Sequence, residues 1–171
     1  MYELHENEQY FFDEPTLERL ASFVSTFATP CCVCAPLLGK HIVDRGGSVR
    51  ILDIDTRFAG VPGFRRFDLR RPEWLGEKYD LIVCDPPFFK VSLSRLFAGI
   101  RVLSCNDFGQ SILVSYLVRR SHAVLGTFAR FGLRPSGARP TYQTVQRTEW
   151  NEVEFFTNLD AARLEGLRGP A

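Results

Sequence analysis

No stretch of the 171-residue chain approaches the run of about 18 apolar residues that a bilayer span requires. The N-terminal Met1-Tyr2-Glu3-Leu4-His5-Glu6 is acidic, where a secretory leader is basic and then apolar. A cytoplasmic protein without membrane association is therefore expected. Net charge is scarce too: the formal value is +1 and the pI about 7.7, so no global field pulls the chain toward nucleic acid or membrane. Lysine is nearly missing, with 3 Lys against 18 Arg. Arginine favours planar, bidentate partners such as phosphate and carboxylate, and genome composition produces the same bias, so both explanations stand.

A metal centre lacks its ligands. Cys31 and Cys34 have CxxC spacing, but there is no second pair, and His5, His41 and His122 are scattered. No metal is expected, and Cys31, Cys32 and Cys34 read as small, reduced core residues in an apolar segment. His122 follows Arg119-Arg120 and reads as a surface or packing residue. Repeats and low-complexity tracts are also missing.

What the chain does contain is alternation. Asp13 can cap a helix with Pro15 in its first turn, and Leu17, Leu20, Phe23, Val24 and Phe27 give that helix one apolar face, ending by Pro30. Cys31 to Ala35 reads as a strand covered on both faces. A helix over Pro36 to Asp44 and a strand over Val49 to Asp55 follow. Further strands are expected at Phe64 to Leu69, Tyr79 to Cys84 and Ser111 to Leu117, with helices at Ser94 to Leu103 and His122 to Phe131. This order predicts an α/β, Rossmann-like fold with a mostly parallel central sheet. Thr141 to Gln146 and Glu152 to Asn158 are expected as an antiparallel C-terminal strand pair. The tail from Ala161 to Ala171 is expected to fray or form a short helix, and the whole chain to be one domain.

In an open α/β sheet, ligands occupy the crevice beyond the carboxyl ends of the strands. After the first strand a glycine-rich turn is missing, since Ala35-Pro36-Leu37-Leu38-Gly39 holds a single glycine. Close backbone approach to a pyrophosphate is then disfavoured, which argues against a dinucleotide and tolerates S-adenosylmethionine, which has no phosphate. After the second strand, Asp53 and Asp55 lie on one side, and Asp55, nearer the end, is the preferred acceptor for ribose hydroxyls. Asp68, beside Leu69, is placed against an adenine amino group. Arg65-Arg66 and Arg70-Arg71 flank the third strand, as phosphate contacts or as solvated charge.

The fourth strand end is the most informative. Asp85-Pro86-Pro87-Phe88 follows Tyr79 to Cys84 directly, and two prolines cannot continue a ladder. Their stiff backbone lets the Asp85 carboxylate and the Pro86 carbonyl point together into the crevice. Two such acceptors on the N–H bonds of a planar amine would pull its nitrogen toward tetrahedral geometry and hold it in line with a methyl donor. Phe88 would stack on a base.

These residues resemble the N6-adenine methyltransferase-like family, which includes a ribosomal-RNA adenine methyltransferase with CCHC zinc fingers and the elongation-factor lysine methyltransferases. The resemblance covers nearly the whole chain. It rests on Gln9-Tyr10-Phe11-Phe12, Ala35-Pro36, Asp53-x-Asp55-x-Arg57-Phe58, Asp85-Pro86-Pro87-Phe88 and Asn151-Glu152. It implies S-adenosyl-L-methionine as cofactor, held by Gln9, Phe12, Thr16, Ala35, Pro36, Asp53, Asp55, Asp68 and Leu69. It further implies catalysis by Asp85, Pro86, Pro87 and Phe88, and substrate contact by Phe88, Phe89 and Asn151. Neither the family's zinc fingers nor a DNA target-recognition domain is present, so a chain this small would rely on a structured RNA, an accessory protein or an oligomer to choose its site. Three functions follow as expectations: methylation of adenine N6 in RNA or DNA, methylation of a protein lysine, and a non-catalytic scaffold.

Overall fold

The computed structural model of the chain describes residues 1–168. Helix α1 (Glu14–Val24) starts where the Asp13 carboxylate accepts the Thr16 amide at 3.1 Å, and it buries Leu17, Leu20, Phe23 and Val24. It stops at Ser25, a turn sooner than its apolar periodicity suggests. Then come β1 (Pro30–Val33), α2 (Pro36–Asp44), β2 (Arg50–Asp53), β3 (Phe64–Arg66), β4 (Leu81–Cys84), α3 (Leu93–Leu103) and β5 (Ile112–Leu117). Helix α4 (Ser121–Thr127), β6 (Arg134–Pro135), β7 (Val153–Thr157) and α5 (Ala161–Arg168) complete the order. The expected tail therefore forms a helix as far as Arg168, and its last residues, 169–171, lie outside the described residues.

Among the described residues seven strands make one sheet in the order β3-β2-β1-β4-β5-β7-β6. All neighbours from β3 to β5 are parallel, and β7 runs antiparallel to both β5 and β6. Buried side chains cover both faces. α1, α2 and α5 supply Leu20, Val24, Leu38, Ile42, Leu164 and Leu167 to one face, against Cys32, Ile51, Val83 and Phe155. α3 and α4 supply Leu96, Ile100 and Val124 to the other, against Cys31, Ile82, Val114 and Phe156. Cys31 and Cys32 thus alternate between faces as packing residues, and burial pushes the Cys32 thiol up to about 12. No helix among the described residues is long and apolar enough to cross a membrane.

The C-terminal antiparallel pair exists, but with a different partner from the one the alternation suggests. Thr141 to Gln146 does not join the sheet, because the outer edge of β7 is already occupied. Arg134–Pro135 pairs there, the Ser136 amide donates to the Phe155 carbonyl at 2.9 Å, and the Phe155 amide donates to Ala138 at 3.0 Å. The segment turns instead onto the N-terminal residues. Asp13 donates its amide to Thr141 at 3.0 Å, Gln143 donates to Phe11 at 2.9 Å, and Phe12 bridges Tyr142. The helix expected over His122 to Phe131 splits into α4 and a 3-10 turn at Ala129–Phe131, closed by Gly132 at φ 69°.

Candidate active site

A cavity of about 630 Å³ opens beyond the carboxyl ends of β1, β2 and β4, at the point where the strand order reverses between β1 and β4. Its volume is that of a small-molecule site. At the end of β1 the chain turns without glycine: Cys34 takes the left-handed conformation, φ 55°, and its amide donates to the Leu52 carbonyl at 2.9 Å. Ala35 and Pro36 follow on the cavity wall, Pro36 opening α2.

Asp53 closes β2, and both it and Asp55 are buried against the cavity. Their situations differ. Burial would raise Asp55, but the forked Arg57 guanidinium (Nη2 to Oδ2, 2.7 Å) and Gln9 (Nε2 to Oδ2, 2.9 Å) outweigh it and hold the carboxyl below its usual range. Asp53 accepts the Asp55 amide at 2.8 Å, and burial, reinforced by the Asp55 charge, pushes it up to about 6. The carboxylate left with acceptor capacity is therefore Asp53. Beyond β3, Leu69 lines the cavity with Asp68, whose carboxylate is engaged by Arg70 at 3.1 Å.

Gln9 and Phe12 line the cavity from the N-terminal side. Thr16 does not: it is buried in α1, and its hydroxyl lies 3.1 Å from that of Thr141, holding the segment that carries Tyr142. Asn151 lies on the wall near the start of β7. Its side chain braces its own turn, accepting from the Thr148 amide at 2.6 Å and donating to the Gln146 carbonyl at 2.8 Å.

Asp85, Pro86, Pro87, Phe88 and Phe89 all line the same cavity. Asp85 Oδ1 accepts from the Tyr142 phenol at 2.8 Å and from the Ser115 hydroxyl, while Oδ2 receives neither bond. Burial pushes Asp85 up to about 7, with both bonds acting in the opposite direction. The same burial, and the neighbouring Asp85 charge, push the Tyr142 phenol well up, so it stays a donor. Phe88 packs edge-on against Tyr116, ring centres 5.1 Å apart. The turn after it is tied down by Glu8, which accepts the amides of Phe89 at 3.2 Å and Lys90 at 3.1 Å.

Ser115, Tyr142, Glu8 and Tyr116 escaped the sequence reading. Ser115 carries a signal in retrospect. It is the single serine among the apolar and aromatic residues of Ile112–Leu117, and the parallel register that sets Cys84 beside Val114, continued by one residue, brings Asp85 beside Ser115. Tyr142 has no local signal, since its contact spans 57 residues of sequence.

Residues 3–161 match the family described as "Probable N6-adenine methyltransferase". No curated protein matches the chain in sequence. Among solved structures, magnesium protoporphyrin IX methyltransferase from Synechocystis, with S-adenosylmethionine bound, superimposes with a TM-score of 0.57 at 15% identity, over 84% of this chain and 78% of that one. A Pyrococcus horikoshii protein described as an RNA methyltransferase gives 0.57 at 14% identity, over 91% and 89% of the two chains. A TehB-like S-adenosylmethionine-dependent methyltransferase from Corynebacterium glutamicum gives 0.54 at 16% identity, over 83% and 86%. At these identities the likeness is one of fold.

Proposed function

Since the chain belongs to the N6-adenine methyltransferase family, we propose that it moves a methyl group from S-adenosylmethionine to the exocyclic amine of an adenine in a nucleic acid. The observation that carries this reading is the state of Asp85: one carboxylate oxygen is fixed by Tyr142 and Ser115, and the other is left to accept from an incoming amine.

The residues present suit the cofactor. Asp53 offers a buried carboxylate with spare capacity for ribose hydroxyls, Phe67 and Leu69 offer apolar walls for a base, and the lining carboxylates favour a cation over a polyphosphate. The cofactor, when bound, supplies a methyl group on a sulfonium sulfur. Asp85 Oδ2 and the Pro86 carbonyl accept the two N–H bonds of the acceptor amine, which orients its lone pair along the line of transfer. Phe88, steadied by Tyr116, stacks on the base. With a carboxyl near 7, Asp85 can hold the proton released from the methylated nitrogen before it passes to water.

Transfer of labelled methyl groups into cell extract, followed by separate nuclease and protease digestion, tests the reading. Label lost to nuclease and recovered as N6-methyladenine is expected; label that survives nuclease and is lost to protease would identify a protein lysine instead. Asp85→Ala should abolish transfer while S-adenosylhomocysteine still binds by calorimetry, and a fully active variant would remove Asp85 from the reaction.

A further inference from the structure

Two large rings at this cavity are left in water by a backbone that is held in place. Phe89 is 74% exposed and Trp150 75%, yet both line the cavity. The turn bearing Phe89 is fastened by Glu8 through two backbone amides. Trp150 sits in the turn that Asn151 closes through the Thr148 amide and the Gln146 carbonyl, next to the Arg147–Glu152 ion pair. Neither ring belongs to the two buried clusters of the fold, and two large exposed rings on the wall of one cavity are what an interaction site presents.

The charges around the cavity say what would bind there. Every carboxylate lining it, Asp53, Asp55, Asp68, Asp85 and Glu8, is buried or half-buried. The exposed Arg, Lys, Asp and Glu side chains that line it are Arg70, Lys90 and Arg119, all cations. Flat aromatic faces among scattered cations suit a partner with stacked planar groups and a phosphate backbone. A lysine-bearing basic peptide would meet like charge there. A long duplex is held by a continuous row of cations, whereas the exposed cations on the cavity wall are three, from separate segments of the chain.

We propose that Phe89 and Trp150 form a stacking platform for the nucleotides flanking the methylated base, and that the partner is an unpaired segment of RNA. The inference rests on the adenine reading above and narrows it. RNA is chosen because its loops and ends present unstacked bases ready for aromatic faces, whereas an adenine in duplex DNA must first be extruded.

The chain has two tryptophans, Trp74 and Trp150, so Trp74→Phe leaves the fluorescence of Trp150 alone. In that background an unpaired RNA of about 12 nucleotides with one central adenine should quench Trp150, in keeping with single-strand site sizes of about 4–16 nucleotides. Followed by the anisotropy of an end-labelled copy of that RNA, Trp150→Ala and Phe89→Ala should each weaken binding roughly 5- to 100-fold, with S-adenosylhomocysteine affinity unchanged as the check on folding. The same RNA annealed to its complement should bind more weakly than the free strand. Equal binding of duplex and single strand, or two alanine variants that bind like the parent, would overturn the platform. A DNA strand of the same sequence binding more tightly would overturn the choice of RNA. The two failures are distinguishable: label entering adenine while both alanine variants methylate this RNA normally would remove the platform alone. Label entering only protein would remove the adenine reading and the platform's role in it, even if RNA still quenched Trp150.

Discussion

The Tyr142 phenol donates to Asp85 Oδ1 at 2.8 Å from a segment that never enters the sheet. It reaches Asp85 because Phe11 and Asp13 hold Gln143 and Thr141 by backbone hydrogen bonds, and because the Phe12 and Tyr142 rings lie 5.2 Å apart. The N-terminal segment therefore positions Asp85 as well as forming part of the cavity wall.

Tyr142→Phe should change the pH dependence of transfer more than its maximum. Burial raises Asp85 to about 7, and the bonds from Ser115 and Tyr142 oppose that rise. Removing one bond disfavours the carboxylate further, so the acid limb of the pH–rate profile should move up by about one pH unit, the equivalent of one hydrogen bond of about 1 kcal/mol. Single-turnover rates between pH 5.5 and 9.5, chosen to bracket a limb near 7 by roughly two units, measure this. A limb that stays in place in both Tyr142→Phe and Ser115→Ala would mean that another group titrates.

Asp85→Asn should be inactive and more stable. A carboxyl whose folded-state pKa is raised from about 4 to about 7 favours folding only when protonated. Its contribution is fully present below the unfolded value and is lost as the pH rises through the folded one. An amide avoids that loss while still accepting from Tyr142 and Ser115. Unfolding by urea should show a gain of about 1–3 kcal/mol at pH 8 that vanishes near pH 4. Equal stability of the two proteins at pH 8 would mean that Asp85 is well solvated.

Asp85-Pro86-Pro87-Phe88 was legible because four adjacent residues carry it, directly after an apolar strand. The strand and helix alternation was legible for the same local reason. Tyr142 was not, since the alternation of Thr141 to Gln146 imitates a strand and only the prior occupation of the β7 edge by Arg134–Pro135 keeps it out of the sheet. Position along the strand favours Asp55 over Asp53, and position does not show that Arg57 and Gln9 bond the Asp55 oxygens. Thr16 likewise lies close in sequence to Phe12, but the turn of α1 carries it to the Thr141 side.

Asp53→Asn separates the two acidic residues. With Asp53 the free acceptor, the variant should bind S-adenosylhomocysteine about tenfold more weakly at pH 8, the loss of roughly one charged hydrogen bond. The parent's affinity should fall below pH 6 as Asp53 takes up its proton, because burial raises it to about 6. The variant should be flat over that range. Asp55→Asn, which breaks pairs within the protein, should lower stability by about 1 kcal/mol instead. Titration calorimetry at several pH values checks both, and an Asp53→Asn variant that binds like the parent would return the ribose contact to Asp55.

Cys34 tests how the first strand turns without glycine. At φ 55° it holds a conformation that costs an L-residue about 1–2 kcal/mol and costs glycine almost nothing. Ordinarily glycine is the less stable choice, because it adds freedom to the unfolded chain. Here the order should reverse. Cys34→Ala keeps the strain and loses the thiol's contact with Cys84, whereas Cys34→Gly loses the same contact and removes the strain. Urea unfolding should therefore find Cys34→Gly more stable than Cys34→Ala by about 0.5–1 kcal/mol, once the strain released is set against the entropy glycine adds. Because the hydrogen bond from the Cys34 amide to the Leu52 carbonyl depends on backbone alone, S-adenosylhomocysteine should bind both variants. If alanine proved the more stable, the turn after β1 would have to relax out of the left-handed region, and the cavity wall at Ala35 and Pro36 would move with it.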